Sequence, residues 1–185
     1  MSEIAPQVSQ AMSARQQQIE AVVREYQQPL LRYATRVLRN GTLAQDVVQG
    51  VFIKLCRHWQ PSQRASVLLK QWLFRVTHNE AVDLIRAEES RKRAHERNAQ
   101  EMEMAASEES SSAQRPSTEE RCEMVLASLD VLTLGERQIV LLRLQQGMSY
   151  DEIAAITKRP RNTVGVMLHQ AVKKLSEKLR GKEAI

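Results

Sequence analysis

Apolar residues recur along most of this chain at the spacing of helices. From about Gln16, residues Ile19, Val22, Val23 and Tyr26 fall on one side of a first helix. Pro29 breaks or restarts it, since proline lacks an N–H and crowds the preceding turn. Leu30, Leu31, Ala34, Val37 and Leu38 continue the pattern until Asn40-Gly41 turns the chain. Thr42 is placed to cap the next helix, whose apolar positions are Leu43, Val47, Val48, Val51, Phe52 and Leu55. Gln60-Pro61-Ser62 makes another turn. From Leu68 a long helix carries Trp72, Leu73, Val76, Ala81, Leu84 and Ile85, then a charged tail through Arg97.

The pattern lapses over residues 98–118, where Glu-Met-Glu-Met, a Glu-Glu pair, three consecutive serines and Pro116 leave little to bury. That composition is a flexible acidic linker. Periodicity returns from residue 119 with Cys122, Val125, Leu126 and Leu129, then with Ile139, Leu142 and Leu144 between Leu134 and Leu144, and Gly147 closes this stretch. The chain thus reads as all-α: a polar tail (1–15), a helical domain (16–97), the linker (98–118) and a second helical domain (119–182).

The second domain carries a motif. Ser149 and Glu152 have the spacing of a capping box, which satisfies free amides at a helix start. Ile153, Ala154 and Ile156 follow, and the two alanines at 154 and 155 allow close approach. After Thr157-Lys158-Arg159, Pro160 suits the first turn of a further helix. Val164, Leu168, Ala171 and Leu175 mark one apolar stripe on it. A short helix, a tight basic turn and a longer helix is the layout of a helix-turn-helix, which sets its second helix in the DNA major groove.

Charge sharpens that expectation. The whole chain is only +5, yet residues 158–182 hold eight Lys or Arg and one acid, Glu177. Such a face neutralises backbone phosphates and releases counterions. With 42% hydrophobic but only 4% aromatic residues, the core must be aliphatic. Cys56 and Cys122 lie far apart, so neither a disulfide scaffold nor a zinc site is indicated. Cys56, on a face with Phe52, Leu55 and Trp59, reads as a small core residue. The four histidines lack metal-ligand spacing, and no nucleophile–base pair or phosphate loop argues for an enzyme or a cofactor. No signal peptide and no run near the about 20 apolar residues of a membrane span is present, so a cytoplasmic protein is expected.

The first domain adds two polar faces. Asp46, Gln49 and Ile53 lie together, away from the Val48–Phe52–Leu55 stripe. Asn79, Asp83 and Arg86 share one side of the third helix, where Asn can hydrogen-bond base edges and Asp83 can pair with Arg86. The order and spacing of all these elements resemble bacterial RNA polymerase sigma factors of the extracytoplasmic-function type. Ala44-Gln45-Asp46-Val47-Val48-Gln49-Gly50-Val51-Phe52 is similar to that family's A-E-D-L-V-Q-E-V-F segment. Trp72-Leu73, Asn79, Asp83 and Arg86 are similar to its W-L…N…D…R signature. Glu136-Arg137, Leu142-Arg143, Ser149 to Ala154 and Thr163-Val164 are similar to its region 4.

The resemblance implies two partners, core RNA polymerase and promoter DNA, with an anti-sigma factor as a third in some members. Asp46, Gln49 and Ile53 would dock on polymerase. Trp72, Asn79, Asp83 and Arg86, with the loop from Gln60 to Leu69, would engage melted −10 DNA, from which a base is flipped. Lys158, Arg159, Arg161, Asn162, Thr163, Gly165 and His169 would meet the −35 duplex. Two departures stand out. Gly50 replaces the family's usual acid, and Thr163-Val164-Gly165-Val166-Met167-Leu168-His169-Gln170-Ala171 stands where the family reads T-V-K-S-R-L-x-R-A. A free-standing regulator that binds DNA without polymerase would use the same C-terminal device. A protein-interaction module that mimics a sigma factor would leave the Asn79–Arg86 face unused.

Overall fold

The computed structural model describes residues 4–58, 67–96 and 128–183, and every regular element among them is helical. Helix α1 (Ile4–Leu38) begins well before Gln16, in the stretch expected to fray as a polar tail. One tether is visible: Arg15 donates from Nη2 to the carbonyl of Cys56 at 2.6 Å, reaching an end carbonyl of the neighbouring helix. Nor does Pro29 break α1. Its missing N–H forfeits one bond, but Leu30, Tyr33, Ala34 and Val37 just beyond it are buried, and their burial outweighs that loss.

Arg39 takes the left-handed conformation (φ 54°) that ends α1. The cap of α2 (Gly41–His58) is Asn40 rather than Thr42: its Oδ1 accepts from the Leu43 amide at 3.0 Å. An asparagine at this corner caps the helix two positions earlier than the expected threonine. Helix α2 buries Ala44, Val47, Val48, Val51 and Leu55. Cys56 lies exposed, not in the core, because Leu55 takes the inward position beside it. Helix α3 (Val67–Glu96) closes the first domain with Leu69, Leu73, Phe74 and Ala81. Tyr33 meets Phe74 edge to face at 5.7 Å, and its hydroxyl lies 3.0 Å from His78 Nδ1. Lys54 and Glu80 pair across α2 and α3.

Among the described residues the first element of the second domain is a 3-10 turn, Ser128–Val131, which holds Leu129; the helix expected through Cys122, Val125 and Leu126 lies outside the described residues, as does the linker. Helix α4 (Leu134–Val140) opens on a second capping box, Thr133 with Glu136, that the sequence displays as T-x-x-E. It runs into a π-helical turn, Leu141–Gln145. The wider turn shifts the phase of the pattern. Leu141 and Leu142 stay buried, while Leu144, expected on the apolar side, is 62% exposed. Gly147 (φ 65°) then reverses the chain, with its amide bonded to the Arg143 carbonyl at 3.1 Å.

Buried polar groups knit this domain. Glu136 accepts from the Thr133 amide and hydroxyl, both at 2.9 Å, and from Lys174 Nζ at 2.8 Å. Burial opposes ionisation of its carboxyl, but Lys174 and Thr133 outweigh burial and hold it below the usual carboxylate range. Arg137 donates to the carbonyls of Leu129 and Leu132, fastening the 3-10 turn. Glu136→Ala should therefore destabilise the protein by about 3 kcal/mol, because it strands buried donors and a cation. Lys174→Ala should cost about 1 kcal/mol or less, since that lysine is half-exposed. Thermal unfolding of both variants at pH 7 checks the asymmetry; equal losses would contradict it.

Candidate nucleic-acid interface

Helix α5 (Tyr150–Thr157), the turn at Lys158 and helix α6 (Arg161–Glu183) form the expected helix-turn-helix. Ser149 accepts from the Glu152 amide and Glu152 accepts from the Ser149 amide at 2.8 Å, so the capping box is closed in both directions. Lys158 ends α5 in the left-handed conformation (φ 54°), a position where a lysine is strained and the following amide reaches back to Ala154. Pro160 sits just before α6 and its carbonyl accepts from Val164, so it serves at the cap rather than within the first turn. Of the two alanines, Ala154 packs inward and Ala155 is exposed.

Val164, Leu168, Ala171 and Leu175 are all buried. At about 3.6 residues per turn, that stripe leaves Asn162, Val166, His169 and Lys173 on the outward side. All four are exposed. Lys158, Arg159 and Arg161 are exposed at the turn, and Thr163 is half-buried. Arg161 Nε pairs with Asp151 at 3.2 Å, two exposed groups whose bond is weak in water. Gly165 lies on the flank of the helix, where a Cβ would approach the Tyr150 ring at 3.8 Å, an ordinary contact.

In the first domain Asp46, Gln49 and Ile53 are brought together on the outer side of α2, with Ile53 47% exposed. Gln49 and Ile53 open onto an apolar groove of about 680 Å³ between α1 and α2, floored by Leu31, Val48, Phe52 and Cys56. Periodicity in α2 alone missed this groove, since it pairs Phe52 with α1 residues. On α3, Asp83 and Arg86 form a loose local pair at 3.8 Å, Asn79 is half-buried, and Trp72 packs against the core. Most of the loop from Gln60 to Leu69 lies outside the described residues.

The two sets of residues are not far apart. Helix α5 packs on α3. Lys70 Nζ donates to the Gln146 carbonyl at 2.8 Å, and the Glu152 carboxylate is also hydrogen-bonded to Gln71. His78 lies near this contact. Burial lowers its pKa to about 4, with help from Arg159, Arg86 and Lys158.

Comparison with known proteins places these features in a family. Residues 22–91 match Sigma-70 region 2 and residues 122–175 match Sigma-70 region 4. The chain is 30% identical over 169 residues to the RNA polymerase sigma-E factor of Streptomyces avermitilis, spanning 90% of this chain and 87% of that one. It is 28% identical over 178 residues to the ECF RNA polymerase sigma-E factor of Escherichia coli K12, spanning 94% and 92%. Its fold is similar to that of the sigma factor RpoE of Bartonella quintana, solved with the anti-sigma factor NepR, at TM-score 0.63, 23% identity and 87% and 98% coverage. CnrH, solved with the cytosolic domain of CnrY, gives TM-score 0.61 at 23% identity, with 94% of each chain covered.

Two outcomes follow from the geometry. The pKa of His78 is depressed in the folded chain, so the unfolded chain takes up the proton first as pH falls. Its stabilising contribution is complete above about pH 6.5 and fades as pH drops toward 4, by on the order of 3 kcal/mol. Melting temperature should fall across that window and fall less in His78→Asn; parallel curves would contradict the assignment. Gly165→Ala should raise stability by about 0.5–1 kcal/mol, because the site has room for a methyl and glycine is a poor helix former. Chemical denaturation of the two proteins checks it.

Proposed function

The chain belongs to the extracytoplasmic-function sigma factors, and from that premise we propose that its first domain docks on polymerase through α2 and melts the −10 element beside α3, while α6 reads the −35 duplex. Members of this family bind core RNA polymerase and direct promoter-specific initiation; they are not enzymes. The observation that carries the division of labour is the outward side of α6. Its buried stripe holds the helix, and the opposite side offers Asn162, Val166 and His169 beside the exposed Lys158–Arg161 turn. That is a surface for a base edge flanked by phosphates. Lys158, Arg159 and Arg161 supply phosphate contacts, and the exposed Asn162 and His169 hydrogen-bond base edges, with Thr163 and Gly165 at the flank.

Polymerase docking is supported by the groove between α1 and α2. Asp46 and Gln49 are polar, exposed and outside the core, and Ile53 is an exposed apolar residue at the groove edge. A partner helix with one apolar ridge and a basic rim would satisfy all three. Gly50, half-buried on α2, has no neighbour within 4 Å of where a Cβ would stand, so nothing within the protein demands a glycine there. An anti-sigma factor that covers α2 or the α3–α5 contact would hold the protein inactive.

The packing of α5 on α3 belongs to the isolated chain in this reading. By name the two promoter elements are separated by some 25 base pairs, roughly 85 Å along the duplex. Side chains in hydrogen-bond contact cannot serve both ends at once. The chain between Glu96 and Ser128 reaches roughly 110 Å if extended, enough for the domains to part. The work is that of a cytoplasmic protein, and no helix among the described residues is long and apolar enough to cross a membrane.

Transcription in vitro with core polymerase on a promoter library tests the whole reading: the full chain should select defined −10 and −35 sequences, and DNA binding without polymerase should be weak. Selection of palindromes by the chain alone would favour a free-standing regulator instead. On the same assay Asp46→Ala with Gln49→Ala should weaken core binding at least tenfold while stability changes by no more than about 0.5 kcal/mol. Loss of helicity together with binding would show a folding role.

A further inference from the structure

We infer that Val166 is a specificity-determining residue, packing on the C5-methyl of a thymine in the −35 duplex; this rests on the reading of α6 as the −35 helix. Val166 is 58% exposed, and it lies on the side of α6 directly opposite Val164, Leu168, Ala171 and Leu175. A β-branched residue there adds nothing to the core and is a poorer helix former than most residues that could replace it. Asn162 lies one turn before it and His169 and Lys173 within two turns after it, all exposed. Val172, the other exposed valine of α6, lies around the helix from this side.

An apolar residue centred among polar ones needs an apolar feature on its partner. The surroundings decide which partner. Lys158 and Arg159 are exposed in the turn that opens α6 and Lys173 is exposed two turns beyond Val166 on the same side, so the field over this side is positive and the partner is a polyanion rather than an apolar protein groove. In the major groove the bases present hydrogen-bonding atoms, with one apolar exception, the thymine methyl. Valine against a guanine or cytosine edge leaves a desolvated polar atom unpaired, whereas against thymine it buries one methyl. Val166 therefore selects a T·A pair both by attraction and by exclusion.

Deoxyuridine isolates that methyl, since it differs from thymidine in nothing else at the groove. The holoenzyme made with the full chain is first given a promoter library, and the preferred −35 duplex is identified. Each −35 thymine is then replaced singly by deoxyuridine, and competition binding is measured for wild type and Val166→Ala. At one position wild type should lose about fourfold in affinity, the equivalent of one methyl-sized group, while Val166→Ala should lose nothing there. Thermal melting of Val166→Ala should match or exceed wild type, since the side chain is exposed. A preferred −35 element without thymine, or uridine replacements that affect both proteins equally or neither, would overturn the inference while leaving the −35 reading intact. A holoenzyme that selects no −35 sequence at all would overturn both.

Discussion

Burial of Val164, Leu168, Ala171 and Leu175 fixes the rotation of α6 about its own axis, and the chemistry of the second domain follows from that rotation. These side chains lock against α4, α5 and the 3-10 turn. A helix so clamped cannot turn to choose its outward residues. Asn162, Val166, His169 and Lys173 are presented because their neighbours are not free to be. The αL turn at Lys158 and the closed capping box at Ser149 add the angle between α5 and α6, because they end one helix and begin it at defined residues. Glu136 extends the same constraint to the middle of α6 through Lys174.

The first domain is held differently. Its centre is an aromatic pair, Tyr33 on Phe74, in a chain with few aromatic residues. The Tyr33 hydroxyl is buried, and burial raises its pKa far above the ordinary phenol value. Its partner His78 stays neutral for the same reason, so one hydrogen bond satisfies both. His78 also senses Lys158 and Arg159 of the second domain. The polar centre of one domain is thus biased by the basic turn of the other, and the bias weakens wherever α5 leaves α3.

Most of the fold was legible because helices of this length carry their own period. The three long helices, the stripe of α6 and the Ser149 capping box all follow from spacing within one segment. What escaped depends on partners in other segments. Arg15 tethers α1 from a carbonyl on α2, and burial beyond Pro29 carries the helix through it. The π turn that exposes Leu144 has no local signature in this sequence. Cys56 stands next to Leu55 on α2, and periodicity cannot say which of two adjacent apolar residues points inward. Among the candidate site residues, the outward positions on α2 and α6 could be read from the chain. The α1–α2 groove and the α3–α5 contact could not, since each is made by residues distant in sequence.

The basic count of the C-terminal segment overstates the charge available to DNA, and the structure shows by how much. Lys174 holds both carboxylate oxygens of the buried Glu136, at 2.8 and 2.9 Å, so of the cations on α6 it is the least available to a phosphate. Lys173 and Glu177 pair loosely at 4.0 Å, and Arg161 and Asp151 at 3.2 Å, both on exposed surface. Those pairs contribute little and exchange readily for a phosphate. Lys158 and Arg159 pair with no acid among the described residues. The cations that remain available are therefore those at the turn, Lys158, Arg159 and Arg161, next to the outward residues proposed to read bases. On that proposal affinity and readout share the start of α6, and the basic tail beyond Lys174 would add to the field more than to the contact.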